Sequence, residues 1–423
     1  MSTTAHGGAR PVGFGVVLRH REFAAVLAAK VLSDWGDHVA RVAIAALMLQ
    51  VSGSVTLSAA TFAISWLPSI FGQALLGPYA DRLPRRQLMI VCDALRAALV
   101  LMLFAAVVSE LPLALVLGLL FLIELVGSPF FAANTALLTD VFDNPRHFMT
   151  ANALLRVVGQ FNQVVGLAVG GLLIALVGVD GSLLLDAVTF AVSGVLLFAF
   201  VRSRPAAAEG GVPGLADLWL DVKMGASHLR DDVPLRSLML LAWGMTIVFV
   251  APEAVALAYA QVHGESSRVG GLLLAAPPAG AVIGVLTLNR WDSESQVRRI
   301  LPMAACSGLP LLLVAFDPVW YVAAVLFVLS GSCTAFMIPL LGTFTVLAPD
   351  ALKGRLNGLA GAGFSLVTVL GYLATGIVAD LTSPSFAITL GGALGCLVLA
   401  WLYPGWPRRE IRRATETAFH RGD

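Results

Sequence analysis

Apolar residues run along this chain in blocks of about twenty and more, interrupted by short clusters of charge, glycine and proline. A helix needs roughly 20 apolar residues to cross a bilayer, and only helices or closed barrels satisfy their backbone groups there. Long unbroken blocks, in place of ten-residue alternating ones, predict helices. The breaks predict twelve, at 22–49, 56–79, 86–108, 112–139, 149–177, 181–202, 235–260, 268–289, 299–315, 319–347, 354–379 and 384–403. An even number returns both termini to one side. The longest polar stretch, 203–234, carries Pro205, Gly210, Gly211, Pro213 and Gly214 and divides the spans into two sets of six. The expected organisation is an N-terminal bundle at 1–203, a linker at 204–234, a C-terminal bundle at 235–404 and a tail at 405–423. Within the linker, Leu215, Leu218, Val222 and Leu229 are spaced as on an amphipathic helix lying on the membrane surface.

Composition agrees with an all-α integral membrane protein. Of 423 residues, 58% are apolar and only 13% charged, and the mean hydropathy is +0.86. Soluble proteins average about a quarter charged residues, so too little polar surface remains to coat a globule of this size. A balance of 27 basic against 26 acidic residues argues against nucleic acid as a partner. The basic residues are sorted by side instead. Twenty-two of the 27 fall on the side of the termini, Arg268 falls on the other, and Lys30, Arg41, Arg96 and Arg156 lie within spans. By the positive-inside rule this places both termini in the cytoplasm of a cell that carries the protein in its plasma membrane. Lys30, Asp34, Asp37 and Arg41 interrupt the first span, so it does not read as a cleavable signal. Cys92, Cys306, Cys333 and Cys396 sit in apolar stretches without CxxC or histidine neighbours and read as small core residues, implying no metal and no cofactor.

Sliding the second half over the first by about 205 residues brings Asn152 onto Asn357, Gly166 onto Gly371 and Gly171 onto Gly376. Gly127-Ser128 meets Gly331-Ser332 at 204. Parallel six-helix repeats related by an axis along the membrane normal characterise one large class of secondary transporters, with the substrate site between the halves.

The first span carries the most information. On a helical wheel Lys30, Asp34, Asp37, His38 and Arg41 share one stripe about 100° wide. Each such group costs about 2.5–3.5 kcal/mol at mid-membrane on insertion scales, so the stripe faces water or the bundle interior. Lys30 with Asp34, and Asp37 with Arg41, are i,i+4 pairs able to neutralise one another. A network that orients the helix and a role in ion coupling are equally open. In the fifth span Asn152, Arg156, Gln160 and Gln163 share a face that Gly166 and Gly170 continue, suited to a helix that borders a cavity and packs tightly beyond it. Arg156 calls for a carboxylate, with Asp37, Glu124 or Asp140 as choices. Glu124 stands in FLIELVG with no basic residue within a turn, which makes it the first choice for proton coupling; a static pair is the competing reading. Glu253, after Pro252, and Asp186 rank below it.

Between the second and third spans the chain reads GPYADRLPRR, from Gly77 to Arg86. This resembles motif A of the major facilitator superfamily, written G-x-L-A-D-R-x-G-R-R. The match lies at Gly77, Ala80, Asp81, Arg82, Arg85 and Arg86, with Pro84 where the family often has glycine. The resemblance implies that Gly77, Asp81, Arg82, Arg85 and Arg86 form a latch between the halves in the outward-facing state. The counterpart in the second half, NRWDSESQVRR from Asn289 to Arg299, is degraded. The strings SDWGDHVARVA and SSRVGGLLLAAPPAGAVIGVL are similar to the branch holding enterobactin exporters and macrolide efflux proteins. GLAVGGLL, from Gly166 to Leu173, is similar to motif C of exporters, G-P-x-x-G-G, with Leu167 in place of proline and Gly166, Gly170 and Gly171 at packing positions. Many proton-coupled relatives carry an arginine in the fourth span, in l-x-x-R, where FLIE has Glu124.

The resemblance implies a twelve-helix exporter in two six-helix bundles, exchanging protons for a small amphipathic molecule such as a drug, siderophore or secondary metabolite. It would work as a monomer among membrane lipids. Proton coupling falls to Glu124, Asp37, Asp34, Arg156 and Glu253. The cavity falls to Trp35, His38, Arg41, Phe131, Gln160, Phe161, Gln163 and Trp243. An uptake symporter or facilitator is the nearest alternative. A membrane sensor or enzyme is the alternative of another class, disfavoured because the chain holds no Gly-Lys of a P-loop, no HxxxxD and no HExxH.

Overall fold

A computed structural model describes residues 13–204, 215–350 and 352–412, with the side chains of 71–82 and 215–221 outside that description. Eight of the described helices are long and apolar enough to cross a membrane. One of these, Pro145–Phe200, is 56 residues long and makes two crossings, because Gly178 at φ 72° and ψ −178° breaks it. That conformation favours glycine, and it replaces the three-residue connection expected there with a single residue. The apolar stretches Val55–Ile70 and Ile300–Phe316 supply two further crossings. Arg21–Ser52, rich in charge, supplies the twelfth among the described residues.

In chain order the crossings are α1 (Arg21–Ser52), α2 (Val55–Arg82), α3 (Arg85–Val108), α4 (Leu113–Val141), α5 (145–177) and α6 (179–200). The second set is α7 (Val233–Val262), α8 (Ser267–Leu288), α9 (Ile300–Phe316), α10 (Trp320–Leu347), α11 (Lys353–Leu381) and α12 (Pro384–Leu402). Sequence boundaries and structural ones agree within a few residues, since charge and proline end these helices in both. In mid-span α10 tightens into a 3₁₀ turn at Thr334–Phe336. The linker helix Leu215–Asp231 forms as expected, but it rests on protein. Gly225 faces the Arg355 carbonyl and Leu359 at the start of α11, and Leu229 is buried. Of the four cysteines expected in the core only Cys92 is buried; Cys306 is exposed, where lipid replaces the core as its apolar surroundings.

Within the first set α1 packs along α5 and α6, while α3 packs on α4 and α6; within the second α8 packs on α10 and α12 on both α7 and α9. The two sets meet mainly along α2 with α11 and α5 with α8. These seams are related by the offset seen in the sequence. A Cβ at Gly171 of α5 would lie 2.6 Å from the Gly271 Cα of α8, and one at Gly376 of α11 would lie 2.8 Å from the Thr56 Cα of α2. Glycine permits this approach, so the repeated glycines pack at equivalent places on the two seams.

Both contacts lie away from the end where the arginines cluster. There, on the far end, the Asp380 carboxylate of α11 caps the start of α2, accepting from Val55 N at 2.6 Å, Thr56 N at 3.0 Å, Ser54 Oγ at 2.8 Å and Thr56 Oγ1 at 2.6 Å. A carboxylate satisfies the free N–H groups of a helix start and matches its dipole, a contact worth about 1 kcal/mol. Toward the basic end the seams part. Gly159 of α5 and Gly354, Gly358 and Gly361 of α11 have nothing within 4 Å of a would-be Cβ. Among the described residues the bundle is thus sealed at the far end and open at the basic end.

Gly171→Leu should force the sealed end apart. In a background lacking the native cysteines, a disulfide joining Ser69→Cys and Ser365→Cys, whose hydroxyls lie 2.8 Å apart across the α2–α11 seam, should form in lower yield. An unchanged yield would contradict this packing.

Candidate functional site

The charged stripe of α1 points into the first bundle, and most of its partners come from other helices. Lys30 holds Asp34 at 2.9 Å as the i,i+4 spacing predicts, and Asn162 of α5 donates to Asp34 at 3.3 Å. The second expected pair, Asp37 with Arg41, does not form. Asp37 instead takes Arg96 of α3 at 2.5 and 2.6 Å, and Arg41 takes Glu124 of α4 at 3.1 Å. Two partners inside different helices neutralise both ends without stretching one helix face. Glu124 is therefore no isolated acid; its base lies on a neighbouring helix, beyond the reach of a local sequence window.

Arg96 is the residue that sequence reasoning left unassigned. Its side chain is buried; it also donates to Ser33 at 3.1 Å and its guanidinium lies 4.1 Å from the Phe190 ring centre of α6. Gly127 of α4 gives it room, with the guanidinium 3.6 Å from a would-be Cβ. A lone arginine in the middle of an apolar helix, one turn after Asp93, was the available signal. Asp93 itself is buried and accepts from Ser193 of α6 at 2.6 Å. Asp186 of α6 is buried against Gly36 of α1. A small polar cavity of about 190 Å³ opens beside Arg96, bordered also by Lys30, Asp34, Ser69, Glu124 and Ser128.

A second cavity, of about 560 Å³, lies between the bundles. Trp66, Trp243, Phe249 and Phe364 give it aromatic walls, Met239, Met337 and Leu341 give it flexible apolar ones, and Gln160, Gln163 and Asn357 add amides. Among the described residues that line it, Glu253 is the sole charged side chain. Pro252 removes a hydrogen bond from α7 beside it, and the 3₁₀ turn of α10 places Thr334 and Ala335 on the opposite wall. Three of the eight expected cavity residues, Gln160, Gln163 and Trp243, stand on this wall. The others do not. Arg41 is held by Glu124, His38 packs on Gly166, Phe131 borders the polar cavity with Lys30 at 5.6 Å from its ring, and Trp35 is half-buried outside the lining of the central cavity. Phe161 is exposed, one position past Gln160 and so turned about 100° off that wall. The aromatic walls came largely from residues not singled out, because a tryptophan or phenylalanine in an apolar helix looks the same facing a cavity or facing lipid.

The other expected residues fall in several places. Arg156 is exposed on the α5 face that carries Gln160, and none of its three expected partners holds it. Asp37 is with Arg96, Glu124 with Arg41, and Asp140 with Arg85 at 2.7 Å. Of the motif between α2 and α3, the side chains of Gly77, Asp81 and Arg82 lie outside the described ones. Arg85 also donates to the Ala136 carbonyl of α4 at 2.8 Å, and Arg86 to the Phe198 carbonyl of α6 at 2.6 Å. Both stay within the first bundle. Gly166 and Gly170 receive His38 and Val42 of α1, while Gly171 faces α8.

Comparison with known proteins agrees with this architecture. Residues 26–348 match the family described as Major Facilitator Superfamily. The chain is 24% identical over 404 residues to the multidrug efflux pump Tap of Mycolicibacterium fortuitum, covering 92% of this chain and 97% of that one. It is 27% identical over 221 residues to YkuC, an uncharacterized MFS-type transporter of Bacillus subtilis (strain 168), a match that spans 51% of this chain and half the length of that relative. Among solved structures the nucleoside transporter NupG superposes with a TM-score of 0.69 at 14% identity, covering 94% of this chain and all of that one. A bacterial homologue of the lysosomal transporter Spinster, in an inward-facing and unoccupied conformation, superposes with a TM-score of 0.66 at 14% identity, covering 97% and 98%. Two six-helix bundles, a cavity between them and a family match over most of the spans lead to one conclusion: the chain belongs to the Major Facilitator Superfamily and is a membrane transporter.

Proposed function

We propose that the protein exports a small amphipathic molecule bearing a positive charge, exchanging it for protons by alternating access. The observation that carries this reading is the cavity between the bundles, where Glu253 lines the wall with four aromatic side chains and, among the described lining residues, no base. Aromatic faces attract cations, and an acid in a low-dielectric wall attracts them more strongly. Similarity over nearly the whole chain to a protein named as a multidrug efflux pump supports the direction, as does the likeness of α1 and α8 to the enterobactin and macrolide exporters. The sorting of basic residues supports a cytoplasmic basic end in the plasma membrane, with both termini inside. On that orientation the conformation is inward-facing. The glycine seams and the Asp380 cap would close the outer side, while the Asp81 motif would latch the inner side after the halves rock.

Coupling would run through Arg41. It pairs with Glu124 at 3.1 Å and lies within electrostatic reach of Glu253. Protonation of Glu124 would release the guanidinium toward Glu253, where it competes with a bound cation. Deprotonation would draw it back. Proton and substrate thus exclude one another without sharing a carboxylate, and the Asp37–Arg96 pair holds α1 in place while this happens.

Two substitutions test the halves of this scheme. Glu253→Gln should weaken binding of a lipophilic cation about 10- to 100-fold, the worth of one charged contact of roughly 1.5–3 kcal/mol, and leave a neutral substrate's binding unchanged; equal binding of the cation, measured by fluorescence titration, would contradict the assignment. Glu124→Gln, which mimics the protonated acid and so leaves Arg41 free to compete at Glu253, should weaken binding of the same cation and abolish its efflux driven by a pH gradient in oriented proteoliposomes. Efflux at the wild-type rate would remove Glu124 from the coupling path, and gradient-driven uptake by the wild-type protein would reverse the direction.

A further inference from the structure

The segment between α8 and α9 is the counterpart of the Asp81 motif, and it is built for something else. Asp292 starts a short helix, Ser293–Arg298, by accepting from Ser295 N at 2.9 Å. Arg299 turns inward and stacks 3.8 Å from the Trp291 ring centre. Arg298 turns the other way. Beside it the chain leaves α12 and folds back along the start of α9, so that a groove of about 590 Å³ opens between the ends of the two helices. In the first half the corresponding Arg85 and Arg86 are consumed by Asp140 and the Phe198 carbonyl; here Arg298, which also donates to Ser295 Oγ at 3.3 Å, lines a cavity.

Arg298, Arg408 and Arg412 border that groove, with Glu294 at 3.6 Å from Arg412 as its one acid among the described residues. The Arg408 guanidinium lies 4.7 Å from the Tyr403 ring centre, and Trp406 stands on the same wall. Deeper along the helices the lining becomes Leu301, Pro302, Ala305 and Leu399. Ile300 and Leu402 are the last residues of their crossings at this end, so the change from basic to apolar follows the change from headgroup to hydrocarbon. Aromatic residues with a polar edge favour that level, and arginine meets phosphate oxygens with paired N–H groups.

We propose that this groove binds an anionic phospholipid, with its phosphate between Arg298 and Arg408 and its acyl chains along the apolar floor. A soluble phosphate would satisfy the arginines but leave the floor bare, and a zwitterionic lipid would cover the floor while offering its own cation to the bases. Basic pockets between crossing helices at the headgroup level suit acidic lipids for these reasons.

The test is native mass spectrometry of the full chain released from nanodiscs of phosphatidylglycerol mixed with phosphatidylcholine. The wild type should retain phosphatidylglycerol about tenfold more than a variant with both Arg298→Gln and Arg408→Gln, and Arg409→Gln, which removes a neighbouring charge that does not line the groove, should retain it as the wild type does. Phosphatidylglycerol should also raise the unfolding temperature of the wild type above its value in phosphatidylcholine alone, and this rise should vanish in the double variant. Equal retention by wild type and double variant overturns the proposal. So does equal stabilisation by glycerol phosphate in phosphatidylcholine discs, which would assign the arginines to a soluble phosphate.

Discussion

Five ionisable side chains on one stripe of a membrane-crossing helix are the constraint around which this molecule is arranged. At mid-membrane each would cost about 2.5–3.5 kcal/mol facing lipid. Local pairing answers for Lys30 and Asp34 alone. Asp37 and Arg41 find their partners on α3 and α4, and Asn162 of α5 completes the set. Neutralisation therefore ties four helices of the first bundle into one body. It also keeps the positive charges of α1 and α3 off the wall between the bundles, so that Glu253 faces the central cavity without a basic neighbour on that wall.

The second constraint is close approach. The proposed alternating access needs two bodies that touch firmly at one end and separate at the other, and the repeated glycines supply the firm contact on both seams. The two seams are alike in backbone but not in side-chain chemistry. Asp380 caps α2 across the α2–α11 seam, whereas the start of α8 has no side-chain cap. At the basic end the halves differ as well, since the motif residues described in the first half bind their own bundle while the equivalent arginines of the second half divide between Trp291 and a groove. A duplicated fold has kept its packing and diverged in its charges.

Much of the fold was legible because the bilayer imposes it. Apolar blocks, charge breaks and the one-sided distribution of Lys and Arg define the crossings, and the offset of about 205 finds Gly171 and Gly376 in equivalent seams. The site was legible only where its logic is local. The wheel of α1 finds the stripe, and the polar face of α5 finds Gln160 and Gln163. Pairing between helices is not local. Nothing in the windows around Asp37, Glu124 or Arg96 says which base meets which acid, so Arg41 was assigned to its neighbour and Arg96 to none. The aromatic wall of Trp66, Phe249 and Phe364 was hidden for a different reason, because lipid and cavity select the same side chains.

The central claim is that the α1 charges are matched by partners across the first bundle, and a double-mutant cycle on Asp37 and Arg96 tests it most directly. Breaking a buried pair by removing one member costs about 3–5 kcal/mol, while removing both leaves no uncompensated charge. Unfolding temperatures of Asp37→Asn, Arg96→Gln and the double variant, measured in nanodiscs, should show two deep losses and a double variant more stable than either. Single variants close to wild type, with a double variant showing the simple sum of their effects, would contradict the account.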